Sequence, residues 1–285
     1  MILIADSGST KTHWRLVDNN NVIHSYATQG INPYYQNKDE IIKIINTELL
    51  PQISVLINSI HIYFYGAGCS SATKNKVVSE VLLTCFPHSV IEVAEDILGA
   101  ARALCGNNQG IAGILGTGSN TVFYDGTKII NRIGGLGYIL GDEGSGAHIG
   151  KTFLQAYFNN ELPESVVEKF HSHFKMGKGD ILDAIYNKPL PSRFLASFSV
   201  FIHANISEKH LYELVSECFN GFFDKNVCKH SQYKNIPFNC VGSIAANYSA
   251  IIKNVAAKKG ITIGKIIQNP IDDMVLYHLE KTSGK

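Results

Sequence analysis

Apolar and polar residues in the first third of the chain follow two periods in turn, a period of two that predicts strands and one near 3.6 that predicts amphipathic helices. The strands are predicted over Ile2–Ala5, Thr12–Asp18, Val22–Thr28, His61–Tyr65 and Ser89–Val93. The helices are predicted over residues 39–50, 73–85 and 95–104. Strands that alternate with helices in this way are typical of an α/β protein.

The same order of elements starts again after the glycine-bounded segment Gly106–Gly110, which we interpret as a linker. Strands are predicted over residues 111–115, 120–124, 128–133 and 238–241, with a strand end at 262–264. Residues 151–232 are rich in helical patterns, and further helices are predicted over 243–259 and 270–280. The pattern indicates a distant duplication of one architecture rather than a short-period repeat.

Composition narrows the class of protein. A length of 285 residues suits two domains, and 45% hydrophobic with 17% charged residues is ordinary for a globular chain. Lys and Arg number 25 against 24 Asp and Glu, so nothing favours nucleic acid as a partner. The N-terminus lacks a signal-peptide pattern and no apolar run would span a membrane, so we expect a cytoplasmic protein. The six cysteines lack C-x-x-C spacing, and we expect reduced thiols.

The first chemical motif is Asp-Ser-Gly-Ser-Thr-Lys-Thr at residues 6–12, between two predicted strands. Gly8 allows backbone N–H groups to converge on an anion, and Lys11 adds a positive charge. A carboxylate at the end of a strand beside such a cradle, here Asp6, is well placed to hold Mg²⁺. An ordinary polar hairpin with an acidic edge is the alternative interpretation.

The second motif is a tight glycine turn, Gly116-Thr-Gly118-Ser, again between two predicted strands. It is not a Walker A loop, because no Gly-Lys-Ser/Thr follows, and it lacks the third glycine of a dinucleotide fingerprint. Its position in the second half matches that of residues 6–12 in the first half. Two such hairpins could hold one polyphosphate from both sides.

A third feature, Asp96, lies at a strand-to-helix junction just before the second half begins. A kinase that acts on an alcohol needs a carboxylate to accept the hydroxyl proton, and Asp96 suits that role. The helix dipole also favours an acid at this position, which is the structural alternative. Glu92 and Glu95 are rival candidates for the base.

Two further segments suggest ligand binding. Seven of the 17 residues in Gly134–Gly150 are glycine, interleaved with Tyr138 and with the acidic pair Asp142 and Glu143. Carboxylates accept paired hydrogen bonds from sugar hydroxyls, so this segment favours a sugar-binding loop over a flexible linker. In Val241–Tyr248, small residues at a strand-to-helix turn would admit a flat base, although tight packing explains them equally well.

These five segments, in this order, resemble the actin–hexokinase–chaperone ATPase superfamily, and within it the N-acetylglucosamine kinase-like branch of the BadF/BadG/BcrA/BcrD ATPase family. The glycine-rich run 134–150 is the most specific match. The resemblance implies an α/β fold with two ribonuclease H-like (actin-like ATPase) domains and an interdomain active-site cleft. The expected domains are residues 1–105, joined by a C-terminal helix at 268–285, and residues 106–267 with a helical insertion.

The resemblance also implies roles for individual residues. Asp6 would bind Mg²⁺, Asp96 would be the catalytic base, and Asn32, Gly135 and Asp142 would bind the sugar. The expected ATP-binding residues are Gly8, Ser9, Thr10, Lys11, Thr12, Thr117, Gly118, Gly242 and Ser243. Many relatives have Asp-Gly-Gly-Gly-Thr where this chain has Asp-Ser-Gly-Ser-Thr, but serines still offer N–H groups to a phosphate.

The implied activity is an ATP-dependent kinase that phosphorylates the 6-hydroxyl of an amino sugar, with N-acetylglucosamine expected first and N-acetylmuramate or glucosamine as alternatives. A related class, the activating ATPases of acyl-CoA dehydratases and reductases, needs paired cysteines for an iron–sulfur cluster. Here only Cys105, with Cys69 or Cys85, lies near the linker, without a suitable spacing for a cluster, so the activating ATPase is the less favoured alternative. Related repressors carry an N-terminal DNA-binding segment, which we do not expect ahead of Ile2. Relatives are often dimers, so a homodimer is left open.

Overall fold

The computed structural model of the protein describes residues 1–8, 10–53 and 60–283. Two compact units make up the chain: unit 1 is Met1–Asn107 together with the segment from Pro270 onward, and unit 2 is Asn108–Asn269. Each unit contains one mixed five-stranded sheet with helices, which confirms the predicted α/β fold of two actin-like ATPase domains.

Each of the ten predicted strands is present, with ends shifted by at most three residues. In chain order they are β1 (Ile2–Ser7), β2 (Lys11–Val17), β3 (Ile23–Gln29), β4 (His61–Gly66), β5 (Val90–Glu95), β6 (Gly110–Leu115), β7 (Ser119–Tyr124), β8 (Ile129–Gly134), β9 (Phe238–Val241) and β10 (Ile263–Ile267).

In the described residues, four α-helices belong to unit 1 and eight to unit 2. In chain order they are α1 (Lys38–Ile44), α2 (Ala72–Cys85), α3 (Asp96–Cys105), α4 (Gly137–Leu140), α5 (Gly146–Phe158), α6 (Glu164–His173), α7 (Lys178–Tyr186), α8 (Pro191–Ala204), α9 (Lys209–Lys225), α10 (Ser243–Asn247), α11 (Ser249–Lys258) and α12 (Ile271–Ser283). None of the helices in the described ranges is long and apolar enough to cross a bilayer.

The two sheets have the same strand order. It is β3-β2-β1-β4-β5 in unit 1 and β8-β7-β6-β9-β10 in unit 2. In each sheet the first three strands along the chain pair antiparallel, and the last two run parallel to the first. The carboxyl ends of three parallel strands therefore meet at one edge, which is where α/β sheets place their ligands.

The alternation in β2 shows how the sequence forms the first sheet. Thr12, Trp14 and Leu16 are fully buried, whereas the residues between them are more exposed, so one face of the strand packs inward. The Trp14 indole N–H donates to the hydroxyl of buried Thr28 at 3.1 Å, which satisfies its polar atom inside the core.

Helix α12 belongs to unit 1 although it follows unit 2 in the sequence. His278 Nε2 lies 2.8 Å from the hydroxyl of Tyr65 on β4. A Cβ atom added at Gly99 of α3 would lie 2.5 Å from the Met274 methyl and 2.7 Å from the Tyr65 ring, so glycine allows α3 to approach both. Burial of these apolar surfaces holds α12 against α3 and the sheet.

Two helix predictions are wrong in detail. The helix predicted over 39–50 is α-helical only to Ile44, and a π-helical segment, Ile45–Leu49, and a 3₁₀ turn follow. Pro51 has no N–H to donate to the carbonyl one turn earlier, so regular α-helical bonding cannot continue through it. The helix predicted over 243–259 is divided at Tyr248 into α10 and α11.

Candidate active site

The predicted first phosphate loop is the turn between β1 and β2. The Gly8 N–H donates to the Lys11 carbonyl at 3.0 Å and closes the hairpin. Gly8, Thr10 and Lys11 are exposed, as a phosphate-binding turn requires, whereas Thr12 is fully buried. Ser9, also predicted to bind ATP, lies outside the described residues.

Two predicted acidic residues lie at the carboxyl edge of the first sheet. Asp6 is near the end of β1, and Asp96 is the first residue of α3, directly after β5. The Ile97 N–H donates to Asp96 Oδ1 at 2.8 Å and fixes the side chain at the helix start. Burial, together with the nearby Asp96 charge, raises the pKa of Asp6 to about 7. The fold therefore places these two carboxylates close enough to repel each other.

The rival base Glu92 is engaged elsewhere. Its carboxylate accepts a hydrogen bond from Arg102 Nη1 at 2.8 Å, and the same guanidinium nitrogen donates to the Tyr65 hydroxyl. This pair ties β5 to the end of α3 that lies opposite Asp96. The structure thus favours Asp96 and its neighbour Glu95 over Glu92 as the acid at the sheet edge.

Asn32 lies in the loop between β3 and α1, and its side chain is almost fully buried. The Tyr34 N–H donates to Asn32 Oδ1 at 3.0 Å, and the Asn32 N–H donates to Gln36 Oε1 at 2.7 Å. Gly68 has φ of +84°, and a Cβ atom there would lie 2.3 Å from Asn32 Oδ1. Glycine is therefore required at 68, both for its backbone conformation and for contact with Asn32.

The residue that follows Gly68 connects this loop to Asp96. Burial, with the Asp96 charge as a further cause, raises the pKa of Cys69 to about 12, so its thiol stays protonated at neutral pH. Asn32 is thus next to Gly68, and the Asp96 charge opposes ionisation of both Cys69 and Asp6. The three residues predicted to serve as metal ligand, base and sugar ligand in unit 1 come together in one region.

In unit 2 the predicted second phosphate loop is the turn between β6 and β7, and the glycine-rich segment folds back on it. The Gly146 N–H donates to the Gly116 carbonyl at 2.8 Å, and the Ala147 N–H donates to the Thr117 carbonyl at 3.1 Å. The Ser119 hydroxyl donates to the Glu143 carbonyl at 2.8 Å. The two motifs, separate in the sequence, are one hydrogen-bonded structure.

Asp142 is at the centre of that structure. It is 9% exposed and has φ of +57°, a left-handed conformation that aspartate adopts more readily than most residues other than glycine. Burial raises the pKa of its carboxyl group, although hydrogen bonds that the carboxylate accepts from the Ser119 and Gly137 N–H groups oppose this rise. A Cβ atom at Gly118 would lie 2.8 Å from Asp142 Oδ2. The Asp142 side chain therefore contacts the second phosphate loop directly.

The neighbouring Glu143 anchors the same segment to the end of α9. Its carboxylate lies 3.1 Å from Lys225 Nζ and accepts a hydrogen bond from Asn226 Nδ2 at 3.4 Å. Gly135, a predicted sugar ligand, has φ of +70° and lies against the Asn120 side chain, because a Cβ atom at this glycine would be 3.2 Å from Asn120 Nδ2. The glycine-rich segment is a fixed loop held at several points.

Gly242 and Ser243, predicted to line the adenosine site, form the junction of β9 and α10. Gly242 has φ of +128°, and a Cβ atom there would lie 2.3 Å from the Leu115 carbonyl oxygen. Ser243 is the first residue of α10. The junction therefore packs directly on the start of the second phosphate loop, and unit 2 brings its predicted site residues together around that loop, Gly135 through its contact with Asn120.

Two contributors were missed by sequence reasoning. The buried Ser7 hydroxyl contacts the loop that carries Asn32, and the Gln36 side chain closes that loop by donating to the Gly30 carbonyl at 3.0 Å. Ser7 stands where many relatives have glycine, and no local pattern in the sequence marks Gln36.

The described part of the chain contains no metal site built from protein side chains alone. Residues 1–8, 10–53 and 60–283 contain no group of three or more His, Cys, Asp or Glu side chains placed to hold a metal ion. All six cysteines are free thiols. A cation that shares its ligands with a nucleotide needs only one or two protein carboxylates, and the Asp6 carboxylate, whose ionisation Asp96 opposes, fits that requirement.

No protein-family model matches the chain, and a search of curated proteins gave no match. Among solved structures, the chain is 42% identical to the "Putative N-acetylglucosamine Kinase" of Porphyromonas gingivalis, with 99% of this chain and 100% of that chain covered and a TM-score of 0.94. A protein of the same description from Chromobacterium violaceum is 15% identical, with coverage of 97% and 98% and a TM-score of 0.73.

A ROK family glucokinase from Streptomyces griseus, solved with glucose and AMPPNP, is 12% identical, with 98% of each chain covered and a TM-score of 0.57. At such low identity the last two structures show the fold alone. The 42% identity to the Porphyromonas gingivalis protein over the whole length shows the family as well as the fold. The chain belongs to the family of the Porphyromonas gingivalis protein, a family of ATP-dependent carbohydrate kinases with the actin-like fold.

Proposed function

We propose that this protein transfers the γ-phosphoryl group of ATP to the 6-hydroxyl of N-acetylglucosamine, and that it belongs to the N-acetylglucosamine kinase-like branch of the BadF/BadG/BcrA/BcrD ATPases. The name of the Porphyromonas gingivalis relative supports the choice of sugar. The arrangement of Asp6, Asn32 and Asp96 in unit 1 supports the reaction, and it is the observation that carries the proposal.

Asp96 is the proposed base. Its carboxylate accepts the proton of the sugar hydroxyl as the hydroxyl oxygen attacks the γ-phosphorus, the bond to the β-phosphate oxygen breaks, and ADP leaves. The bond from the Ile97 N–H occupies Oδ1 and orients the group at the helix start. Asn32, fixed by Tyr34 and Gln36, would bind a sugar hydroxyl and help to aim the attacking oxygen.

Phosphate binding is assigned to both hairpins. In unit 1 the assigned residues are Gly8, Ser9, Thr10, Lys11 and Thr12, and in unit 2 they are Thr117 and Gly118. Gly242 and Ser243 would line the adenosine site, and Gly135 and Asp142 would complete the sugar site. Asp6 would hold Mg²⁺, which neutralises phosphate charge when bound.

The test is an ADP-release assay with ATP and Mg²⁺ across N-acetylglucosamine, N-acetylmuramate, N-acetylmannosamine, glucosamine and glucose. We expect the highest kcat/KM with N-acetylglucosamine, and phosphorus NMR of the product should place the phosphate on O6. A higher kcat/KM for another sugar in the series would change the proposed substrate but leave the proposed kinase reaction intact. ADP release that no sugar stimulates would refute the kinase proposal.

A further inference from the structure

The Ser7 side chain is a buried hydrogen-bonding hub in unit 1. It is 0% exposed, and its Oγ lies 2.6 Å from Thr12 Oγ1 and 3.0 Å from both the N–H nitrogen and the carbonyl oxygen of Ile31. Ser7 and Thr12 face each other in the β1–β2 register. Ile31 is in the next loop, between β3 and α1, so one hydroxyl connects the first phosphate hairpin to the loop that carries Asn32.

Thr12 extends the connection. Its hydroxyl donates to the Gln29 carbonyl at 3.1 Å. In one arrangement the Ile31 N–H donates to Ser7 Oγ, the Ser7 hydroxyl to Thr12 Oγ1, and the Thr12 hydroxyl to the Gln29 carbonyl; the Ile31 carbonyl is the alternative acceptor for the single Ser7 proton. Chains of buried hydrogen bonds strengthen one another, and a missing member leaves its partners desolvated without a bond.

Backbone bonds reinforce the link on both sides of Ser7. The Gly30 N–H donates to the Thr10 carbonyl at 3.0 Å, which ties the hairpin turn to the start of the loop. The Ala67 N–H donates to the Ser7 carbonyl at 2.7 Å, next to Gly68, which contacts Asn32. Ser7 therefore joins the hairpin to both segments that surround the Asn32 side chain.

The far end of the Asn32 loop is closed by Gln36. Its side chain accepts the Asn32 N–H at 2.7 Å and donates to the Gly30 carbonyl at 3.0 Å. The loop is thus held at Ile31 by Ser7, and at Gly30 and Asn32 by Gln36. Loss of either contact should free the backbone that holds Asn32.

We infer that Ser7 is a positioning residue that locks the Asn32 loop to the first phosphate hairpin and thereby sets the affinity for the sugar. This inference rests on the proposed function for the role of Asn32, but the mechanical link does not. The Ser7 hydroxyl is buried and acts through the Gly30–Asn32 backbone rather than on a substrate. Its removal should therefore affect binding of the sugar more than binding of ATP.

The kinetic test compares Ser7→Ala with Ser199→Ala, a control that removes another buried serine hydroxyl, one that donates to the Ala196 carbonyl within α8 of unit 2. We expect Ser7→Ala to raise the KM for the sugar about tenfold while the KM for ATP stays within about twofold. Gln36→Ala, at a partly exposed position, should raise the sugar KM in the same direction. An unchanged sugar KM in Ser7→Ala would overturn the inference.

The second test needs no activity. Hydrogen exchange of the full-length protein should be faster in residues 30–36 of Ser7→Ala and unchanged in α5, and Ser199→Ala should leave residues 30–36 as in the wild type. If the wild type phosphorylates no sugar, the proposed function fails and exchange alone decides the inference. Wild-type exchange in residues 30–36 of a folded Ser7→Ala protein would overturn it. If Ser7→Ala does not fold, Gln36→Ala in both tests decides instead.

Discussion

The two sheets share a strand order but differ in the chemistry at their carboxyl edges. In unit 1, Asp6 precedes Ser7, which forms the last pair of the β1–β2 hairpin with Thr12, and Asp96 follows β5. The corresponding positions in unit 2 are Ile114 on β6 and, after β10, Gln268. The duplicated fold therefore keeps Asp6 and Asp96 in one unit, while Ile114 and Gln268 stand at their positions in the other. Under the proposed function, unit 1 supplies the acid–base chemistry.

The hairpins also differ in how they are secured to the loop beside them. In unit 1, the side-chain hydroxyls of Ser7 and Thr12 make the connection. In unit 2, backbone N–H groups of the glycine-rich segment and the Asp142 carboxylate make it. The same mechanical result, a phosphate-type turn bonded to a candidate sugar loop, is reached with different side chains.

The largest expected effect tests the first difference. Asp96→Asn should lower kcat by about 1,000-fold or more, because an amide cannot accept the hydroxyl proton, while ATP binding is retained. Steady-state kinetics and nucleotide titration would measure both. Glu95→Gln is the matched control at the preceding residue, and kcat near the wild-type value in Asp96→Asn would move the base to Glu95 or Glu92.

The next effect concerns the backbone of unit 2. Gly242→Ala forces an L-residue into φ of +128° and a Cβ atom to within 2.3 Å of the Leu115 carbonyl oxygen. We expect the free energy of unfolding to fall by about 2–3 kcal/mol and the KM for ATP to rise. Gly221→Ala is the control, since a Cβ atom there meets nothing within 4 Å. Equal urea midpoints for the two variants would show that the junction tolerates a side chain.

Asp142→Ala separates two roles of one residue. Loss of a charged acceptor for the N–H groups of Ser119 and Gly137 should cost about 1–3 kcal/mol and loosen the second phosphate loop. The KM for ATP should therefore rise about tenfold. A rise in the KM for the sugar alone would instead assign Asp142 the sugar contact predicted from the sequence, without the mechanical role.

The smallest effect is a pH dependence in unit 2. His230 is fully buried, its Nε2 lies 3.0 Å from Thr121 Oγ1, and burial lowers its pKa to about 4. Between pH 6.5 and 4 the unfolded chain binds a proton that the folded protein excludes. The free energy of unfolding should therefore decrease as the pH is lowered through this window, by at most about 1.4 kcal/mol per pH unit.

His230→Gln removes that contribution, so its free energy of unfolding should depend less steeply on pH than that of the wild type between pH 6 and 5. Urea titrations at several pH values would measure the two slopes. His210→Gln, at an exposed position of α9, controls for the general effect of losing a histidine. Parallel slopes for wild type and His230→Gln would mean that the buried imidazole accepts a proton in the fold.

Much of the fold could be predicted because strands and turns are encoded locally. The strand Phe238–Val241 was predicted to the residue, and the hairpins follow from alternation and glycine. The π-helical segment Ile45–Leu49 could not be predicted, because its apolar spacing is compatible with a regular helix.

The site was less predictable than the fold. Asp96 could be proposed from its place at a strand-to-helix junction, and its role stays a prediction. The connection made by Ser7 depends on a residue 24 positions away in the sequence, and no local pattern reports such a contact. The bonds of Asp142 likewise require the glycine-rich segment to fold back on the second hairpin.

The position of α12 has a consequence for folding during synthesis. Unit 2 is continuous in sequence, so it can form as soon as Asn269 leaves the ribosome. Unit 1 cannot be completed until α12, which carries Met274 and His278, has been made. Unit 1, which holds Asp6 and Asp96, therefore stays incomplete while unit 2 is translated. Until α12 is made, the surfaces of α3 and β4 that it covers remain exposed.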